Sequence, residues 1–111
     1  MQDASSQTQR VRDLNDAFRK SMAGDVVVTR GAADLPSDVR AMAIRKVAAF
    51  DAFTPDNDPH GEHDFGSFDV AGQKVFWKID YYDPRLEFGS DDPADVAKTR
   101  RVLTIMLAEE Y

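Results

Sequence analysis

The chain has 111 residues, a formal net charge of −6 and no cysteine. This length suits one domain around one core, and the lack of cysteine excludes disulfides, thiol catalysis and Cys-ligated metal sites. Hydrophobic residues make up 42 % of the chain, which is enough for a folded core. The chain contains no run of about 18 apolar residues, so no membrane span is expected. The polar N-terminus has no signal-peptide core, so a cytoplasmic location is expected.

The acidic residues are concentrated in the middle of the chain. Residues 51–95 contain twelve Asp or Glu against three Lys or Arg, whereas the segments on either side carry a small positive excess. A surface of this sign repels phosphate, so we expect no direct nucleic-acid binding through it. It suits a cation or a basic partner protein. The alternative is that the charge serves only solubility.

Two helices and a strand are predicted in the first fifty residues. Residues 1–7 are expected to be a flexible tail, followed by a single domain over residues 8–111. Apolar residues recur at helical spacing from about Thr8 to Gly24, which predicts a helix. The β-branched run at residues 26–29 predicts a short buried strand. A second helix is predicted from about Ser37, with a buried face of Val39, Met42, Ala43, Val47 and Phe50.

A β-hairpin is predicted around a two-residue turn at Ala71-Gly72. This register pairs Gly66 with Trp77, where the missing side chain of glycine leaves room for the indole. One face of the hairpin is then apolar, as a half-buried sheet requires: Phe68, Val70, Val75, Trp77 and Ile79. The opposite face mixes aromatic and charged side chains, with Asp69 and Lys74 as an expected ion pair: Phe65, Ser67, Asp69, Lys74, Phe76, Lys78, Asp80 and Tyr82.

The end of the chain is predicted to be helical. Asp92 before Pro93 is typical of a helix start, and an apolar stripe follows it, comprising Val96, Leu103, Met106 and Leu107. The order of elements is then helix, strand, helix, strand, strand, helix. We predict a small α+β domain in which helices pack on one face of a mostly antiparallel three-stranded sheet.

The mixed face of the hairpin and the acidic residues beside it are typical of a protein-contact surface, because interfaces combine aromatic side chains with a polar rim. The alternative is that a helix covers this face as well. The candidate binding residues are Asp56, Asp58, Glu62, Asp64, Phe65, Asp69, Phe76, Lys78, Asp80, Tyr82 and Asp83.

The loop from Asp56 to Asp64 contains both histidines, His60 and His63. Histidine and carboxylate side chains are ligands of divalent metals, and two histidines three residues apart can reach one ion. The loop has neither a recurring zinc spacing nor the pattern of a calcium loop. The alternative is that these side chains cap turns and fix the loop. No cofactor other than this candidate metal is expected, and no catalytic residue is assigned.

Three segments resemble domain of unknown function family 3768, a family of small proteins common on proteobacterial plasmids and other mobile elements. They are DNDPHGEHDFGSF from Asp56, FWKIDYYD from Phe76 and TRRVLTIMLAEEY from Thr99. The resemblance covers about residues 10–111. It implies no established activity and no catalytic residue. It does imply a gene context beside conjugation, partition and anti-defence genes.

Two functions follow from these observations. The first is a non-catalytic protein-binding module or inhibitor, whose carboxylates replace phosphates in the groove of a basic nucleic-acid-binding host protein. The alternative is a small metal-dependent enzyme in which His60 and His63 are ligands and Asp58, Glu62 or Asp64 completes the shell or acts as base. A homodimer in which the last helix provides the contact is compatible with both.

Overall fold

The computed structural model describes residues 2–111, with side chains from Ser6 onward, so Met1 of the predicted tail lies outside the described residues. The first helix begins at Gln2, within the segment predicted as a tail. The elements in chain order are α1 (Gln2–Ser21), β1 (Asp25–Val28), α2 (Arg30–Ala33), α3 (Ser37–Ala49), β2 (Phe65–Val70), β3 (Gln73–Tyr82), β4 (Arg100–Leu107) and a 3₁₀ turn (Ala108–Glu110). None of the described helices is long and apolar enough to cross a membrane.

The four strands form one mixed sheet in the order β1-β4-β3-β2. β1 is parallel to β4, whereas β3 is antiparallel to both β4 and β2. The predicted α+β class is confirmed, but the sheet has four strands rather than three. The short helix α2 was not predicted.

The predicted C-terminal helix is wrong, because residues 100–107 form the central strand β4. Leu103, Ile105 and Leu107 alternate onto one face of the sheet and are buried there, so the apolar run has the period of a strand. Asp92 does not start a helix. Its carboxylate accepts the Ala94 N–H, and this closes a turn instead.

The predicted hairpin register is confirmed, with Val70 opposite Gln73 and Gly66 opposite Trp77. Ala71 and Gly72 both have positive φ, 52° and 80°, as the favoured two-residue hairpin turn requires. A Cβ on Gly66 would lie 2.7 Å from Cε2 of the Trp77 indole. The small residue therefore makes room for a side chain that is fully buried.

The core lies between the sheet and the helices α1 and α3. Val75, Trp77, Ile79, Leu103 and Ile105 supply the sheet side. Ala43 and Val47 of α3 pack against them, together with Phe18 of α1 and Met22, which follows that helix. Met42, predicted to belong to the buried face of α3, is 42 % exposed.

The opposite side of the sheet, which we call the open face, points away from α1 and α3. The strand register assigns its side chains, because paired residues share a face. They are Asp25 and Val27 of β1; Phe65, Ser67 and Asp69 of β2; Lys74, Phe76, Lys78, Asp80 and Tyr82 of β3; and Arg100, Val102, Thr104 and Met106 of β4. Of these side chains, Met106 is buried. The predicted ion pair between Asp69 and Lys74 forms on this face, at 3.4 Å.

Candidate functional site: the acidic end of the sheet

Two acidic loops lie at the same end of the sheet. Residues 54–64 lead into β2 at Phe65, which pairs with Lys78, and residues 83–99 follow β3 at Tyr82. We call these two loops the acidic end. They contain nine carboxylates against the two cations Arg85 and Lys98. The nine are Asp56, Asp58, Glu62, Asp64, Asp83, Glu87, Asp91, Asp92 and Asp95.

The first loop is fixed to the sheet by a buried asparagine of α1. Asn15 is fully buried, and its amide donates hydrogen bonds to the Glu62 carbonyl (2.9 Å) and to the Tyr81 hydroxyl (2.8 Å). That hydroxyl in turn donates to Oε1 of Glu62 at 2.9 Å. Burial raises the pKa of Tyr81 far above its usual value, and the nearby carboxylates raise it further. The phenol therefore keeps its proton and remains a donor.

The second loop is tied to the same asparagine through Arg101. The Arg101 guanidinium donates from Nε to Oδ1 of Asn15 at 2.6 Å and from Nη2 to the Pro93 carbonyl. It also lies over the Tyr81 ring, 5.2 Å from the centroid. Because both loops depend on Asn15, this network preorganises the acidic end. Neither Asn15 nor Arg101 was among the predicted site residues, and only the tertiary structure brings them together.

His63 joins the acidic loop to α1. Its Nδ1 lies 2.9 Å from Oδ1 of Asp16 and its Nε2 lies 3.7 Å from Oδ2 of Asp58. The ring stacks on Phe53 with centroids 3.7 Å apart and an interplanar angle of 4°. His60 is exposed and lines the surface beside this stack. Among the described residues, no three His, Asp or Glu side chains are grouped to hold one metal ion.

Several carboxylates of the acidic end bind the backbone of their own loop. Asp58 is almost fully buried and accepts the His63 N–H at 3.2 Å. Asp83 accepts the N–H groups of Arg85 and Glu87 through one oxygen. Asp92 and Asp95 cap turns in the same way. The carboxylates with exposed side chains are Asp56, Glu87 and Asp91.

The Asp64 carboxyl is expected to make the stability of the fold depend on pH. The residue is half-buried, and burial raises its pKa, with the Glu62 carboxylate acting in the same direction. An ionised carboxyl in such a place destabilises the fold, and the cost disappears as the pH falls through the raised pKa and then the unfolded value. We expect Asp64→Asn to increase the free energy of unfolding at pH 7 but not at pH 3, below the ordinary Asp pKa of about 4.

The measurement is urea denaturation at both pH values, with Asp56→Asn as the matched control, since that carboxyl is exposed. An Asp64→Asn gain that is equal at pH 7 and pH 3 would contradict the burial argument.

Exposed apolar side chains project from the acidic end. Phe88 is 72 % exposed, Val96 60 % and Leu86 42 %. A cleft of about 490 Å³ opens beside Phe88, between Asp83 and Lys98. Leu86 and Phe88 were not predicted as site residues, and Val96 was assigned, wrongly, to the apolar stripe of a C-terminal helix. A signal was present, since large apolar residues in a loop between Pro84 and Gly89 have no core to fill.

The tip that carries Leu86 and Phe88 is held by hydrogen bonds. The Asp83 N–H donates to the Phe88 carbonyl at 2.8 Å and the Leu86 N–H to the Asp83 carbonyl at 2.9 Å. At its base, the Ser90 N–H donates to the Tyr81 carbonyl at 3.0 Å. These bonds fix the direction in which the two apolar side chains project.

The predicted binding residues divide between two surfaces. Asp56, Asp58, Glu62, Asp64 and Asp83 belong to the acidic end. The remaining six lie on the open face: Phe65, Asp69, Phe76, Lys78, Asp80 and Tyr82. The two sets meet where Asp64 precedes Phe65 and where Tyr82 precedes Asp83.

Comparison with known proteins identifies one family. The family model described as "Protein of unknown function (DUF3768)" matches residues 28–110, which is more than half of the chain. No curated protein and no solved structure matches. The match includes both acidic loops and all four strands except the first three residues of β1, while Asn15 and the rest of α1 precede it. The chain therefore belongs to the DUF3768 family of proteins of unknown function.

Proposed function

We propose that this chain is a non-catalytic protein-binding module whose acidic end binds a basic protein. The observation that carries the proposal is the projection of Leu86, Phe88 and Val96 into solvent from an acidic loop. Apolar anchors surrounded by charge are the usual composition of a protein interface, with the anchors supplying the affinity and the rim the specificity.

The rigidity of the tip favours this role. Residues 83–90 are held by backbone hydrogen bonds and by the Asp83 carboxylate. Little conformational entropy is then lost when a partner contacts Phe88. An apolar pocket on the partner would receive Phe88 and Leu86, and the cleft beside Phe88 would receive a side chain from the partner.

The exposed carboxylates indicate that the partner carries positive charge. Glu87 and Asp91 flank Phe88 in sequence, and both are exposed. They would face Lys or Arg at the rim of the interface, where charges mainly steer association. Because Asp58, Asp83, Asp92 and Asp95 bind backbone N–H groups, the loops offer an acidic rim rather than a dense row of phosphate substitutes. The anti-defence and mobile-element context stays a prediction.

Catalysis by a metal-bound histidine pair has no specific observation in its favour. The ring nitrogens of His63 face Asp16 and Asp58 rather than His60. Stacking on Phe53 gives this ring a structural role in positioning the loop. The metal-dependent alternative likewise stays a prediction.

The proposal is tested by comparing baits in affinity purification from a lysate of the source cells. We expect the wild-type chain to retain a basic protein that both Phe88→Ala and Glu87→Lys/Asp91→Lys fail to retain. Exposed substitutions of this kind change stability by about 0.5 kcal/mol or less, so all baits remain folded.

Two matched controls separate the acidic end from general effects. Met42→Ala removes a large side chain that is 42 % exposed on α3. Asp34→Lys/Glu109→Lys makes the same change in net charge at exposed positions outside the two loops. Both controls should retain the partner. The proposal would be contradicted if the control baits lost the partner protein to the same extent, or if every bait retained it.

A further inference from the structure

The open face is a second surface, and the proposed function does not use it. We propose that it joins two copies of this chain in a symmetric homodimer. Each copy would pack a cluster of three aromatic rings, Phe65, Phe76 and Tyr111, against the same cluster of the other copy.

The aromatic cluster lies on the outer side of the sheet. The Phe65 and Phe76 ring centroids are 5.3 Å apart, and Tyr111 lies 5.5 Å from Phe76 and 5.9 Å from Phe65. Tyr111 is 75 % exposed, and both phenylalanines are only half-buried. Edge-to-face rings of this kind stabilise interfaces beyond the area that they bury. Val27, 48 % exposed on the edge strand β1, adds an apolar side chain at the far edge of the face, across Thr104 and Lys78 from Phe65.

The charges of the open face are balanced, unlike those of the whole chain. The strands direct six charged side chains to this face, and they form three ion pairs. Lys78 Nζ lies 2.8 Å from Asp80, Lys74 Nζ lies 3.4 Å from Asp69, and Arg100 Nε lies 2.6 Å from Asp25. The strand side chains of this face therefore carry no net charge, whereas the chain carries −6.

This charge balance favours a second copy of the chain as the partner that binds the open face. Two acidic chains repel each other through most of their surfaces, and they can meet without local repulsion where the charge cancels. In a two-fold arrangement each Lys78 and Asp80 pair can lie beside its counterpart with opposite charges adjacent. A basic partner would gain no attraction from a neutral face, so it would bind the acidic end instead.

The test is sedimentation equilibrium of the purified chain at concentrations up to about 1 mM, a range that detects weak dimers. We expect a monomer–dimer equilibrium that added salt strengthens or leaves unchanged, because salt screens the repulsion between two acidic bodies. Lys78→Glu should weaken dimerisation tenfold or more, since it gives each open face a charge of −2.

Two variants control for charge and for folding. Lys78→Glu/Asp80→Lys exchanges the pair, restores the neutral face and should restore the dimer. Lys46→Glu changes the net charge equally at an exposed position of α3, on the other side of the sheet, and should leave the dimer within about twofold of wild type. If circular dichroism shows that Lys78→Glu is unfolded, Val27→Glu adds charge at a more exposed position of the same face.

Three results would overturn the inference. They are a wild-type chain that stays monomeric up to the highest concentration, a dimer that dissociates as salt is added, and equal weakening by Lys46→Glu and Lys78→Glu. None of them bears on partner binding through the acidic end, so the two proposals can fail separately.

Discussion

Gly66→Ala is expected to lower the free energy of unfolding by about 2 kcal/mol or more. The added methyl group would lie 2.7 Å from Cε2 and 2.8 Å from Cζ2 of Trp77, well inside the contact distance of carbon atoms. The indole cannot move aside because it is fully buried. Phe50 lies edge-on at 5.6 Å, and the Arg19 guanidinium covers the ring at 5.1 Å. Urea denaturation at pH 7 measures the loss.

Gly89→Ala is the matched control, because a Cβ there would meet only the Tyr81 carbonyl at an ordinary 3.8 Å. The double variant Gly66→Ala/Trp77→Phe should lose less than the sum of the single variants, since phenylalanine vacates the crowded space and removes an indole N–H that has no hydrogen-bond partner among the described residues. A Gly66→Ala protein as stable as wild type would show that the sheet tolerates the extra methyl group.

Asn15→Ala is expected to lower the free energy of unfolding by about 3 kcal/mol. The substitution leaves Nε of Arg101 without its acceptor and the Glu62 carbonyl and Tyr81 hydroxyl without their donor. All of these groups are at least partly buried, so water replaces the lost bonds poorly. Both loops should also loosen, because each depends on this side chain.

Thermal or urea denaturation measures the stability, and amide hydrogen exchange measures the loosening of residues 54–64 and 83–99. Asn57→Ala is the matched control. Its amide also hydrogen-bonds the backbone, to Thr54 and Ala52, but at an exposed position where water can take over. Asn15→Ala with unchanged exchange in both loops would refute the claim that Asn15 preorganises the acidic end.

The sequence predicts the hairpin of this fold well, because its signals are local. A two-residue turn fixes the register, and the alternation from Phe68 to Ile79 assigns the two faces. The pairing of Gly66 with Trp77 follows from the same register. The predictions of a strand at β1 and a helix at α3 hold for the same reason, since a β-branched run and a helical stripe are each read from a single segment. The expectation that this strand is buried is wrong, because β1 lies at the edge of the sheet and Val27 is 48 % exposed.

The C-terminal strand was missed because its signal is ambiguous. Val102 to Leu107 is almost continuously apolar, and such a run fits a buried helix as well as a central strand. The choice is made by tertiary pairing, since β4 bonds to β3 on one side and to β1 on the other. The Asp92-Pro93 signal pointed to a helix but belongs to a turn.

The site was predicted in part. Charge counting located the acidic loops, but it could not tell which carboxylates are engaged in turns, such as Asp83, and which are exposed, such as Glu87. Asn15 and Arg101 lie 86 positions apart in the sequence, and no local sequence pattern predicts their hydrogen bond. The open face was predicted in part, since the hairpin register assigns its side chains on β2 and β3. Its side chains on β1 and β4 follow only from the pairing of those two strands in the sheet.

The most direct test of the central claim is a titration of the retained partner with the purified chain at low and high salt. If the acidic end binds the partner, the affinity falls as the salt concentration rises. It falls less steeply for Glu87→Lys/Asp91→Lys than for wild type. Phe88→Ala should weaken binding about tenfold or more at both salt concentrations, as an apolar anchor would. An affinity that is independent of salt and unchanged by all of these substitutions would contradict the account.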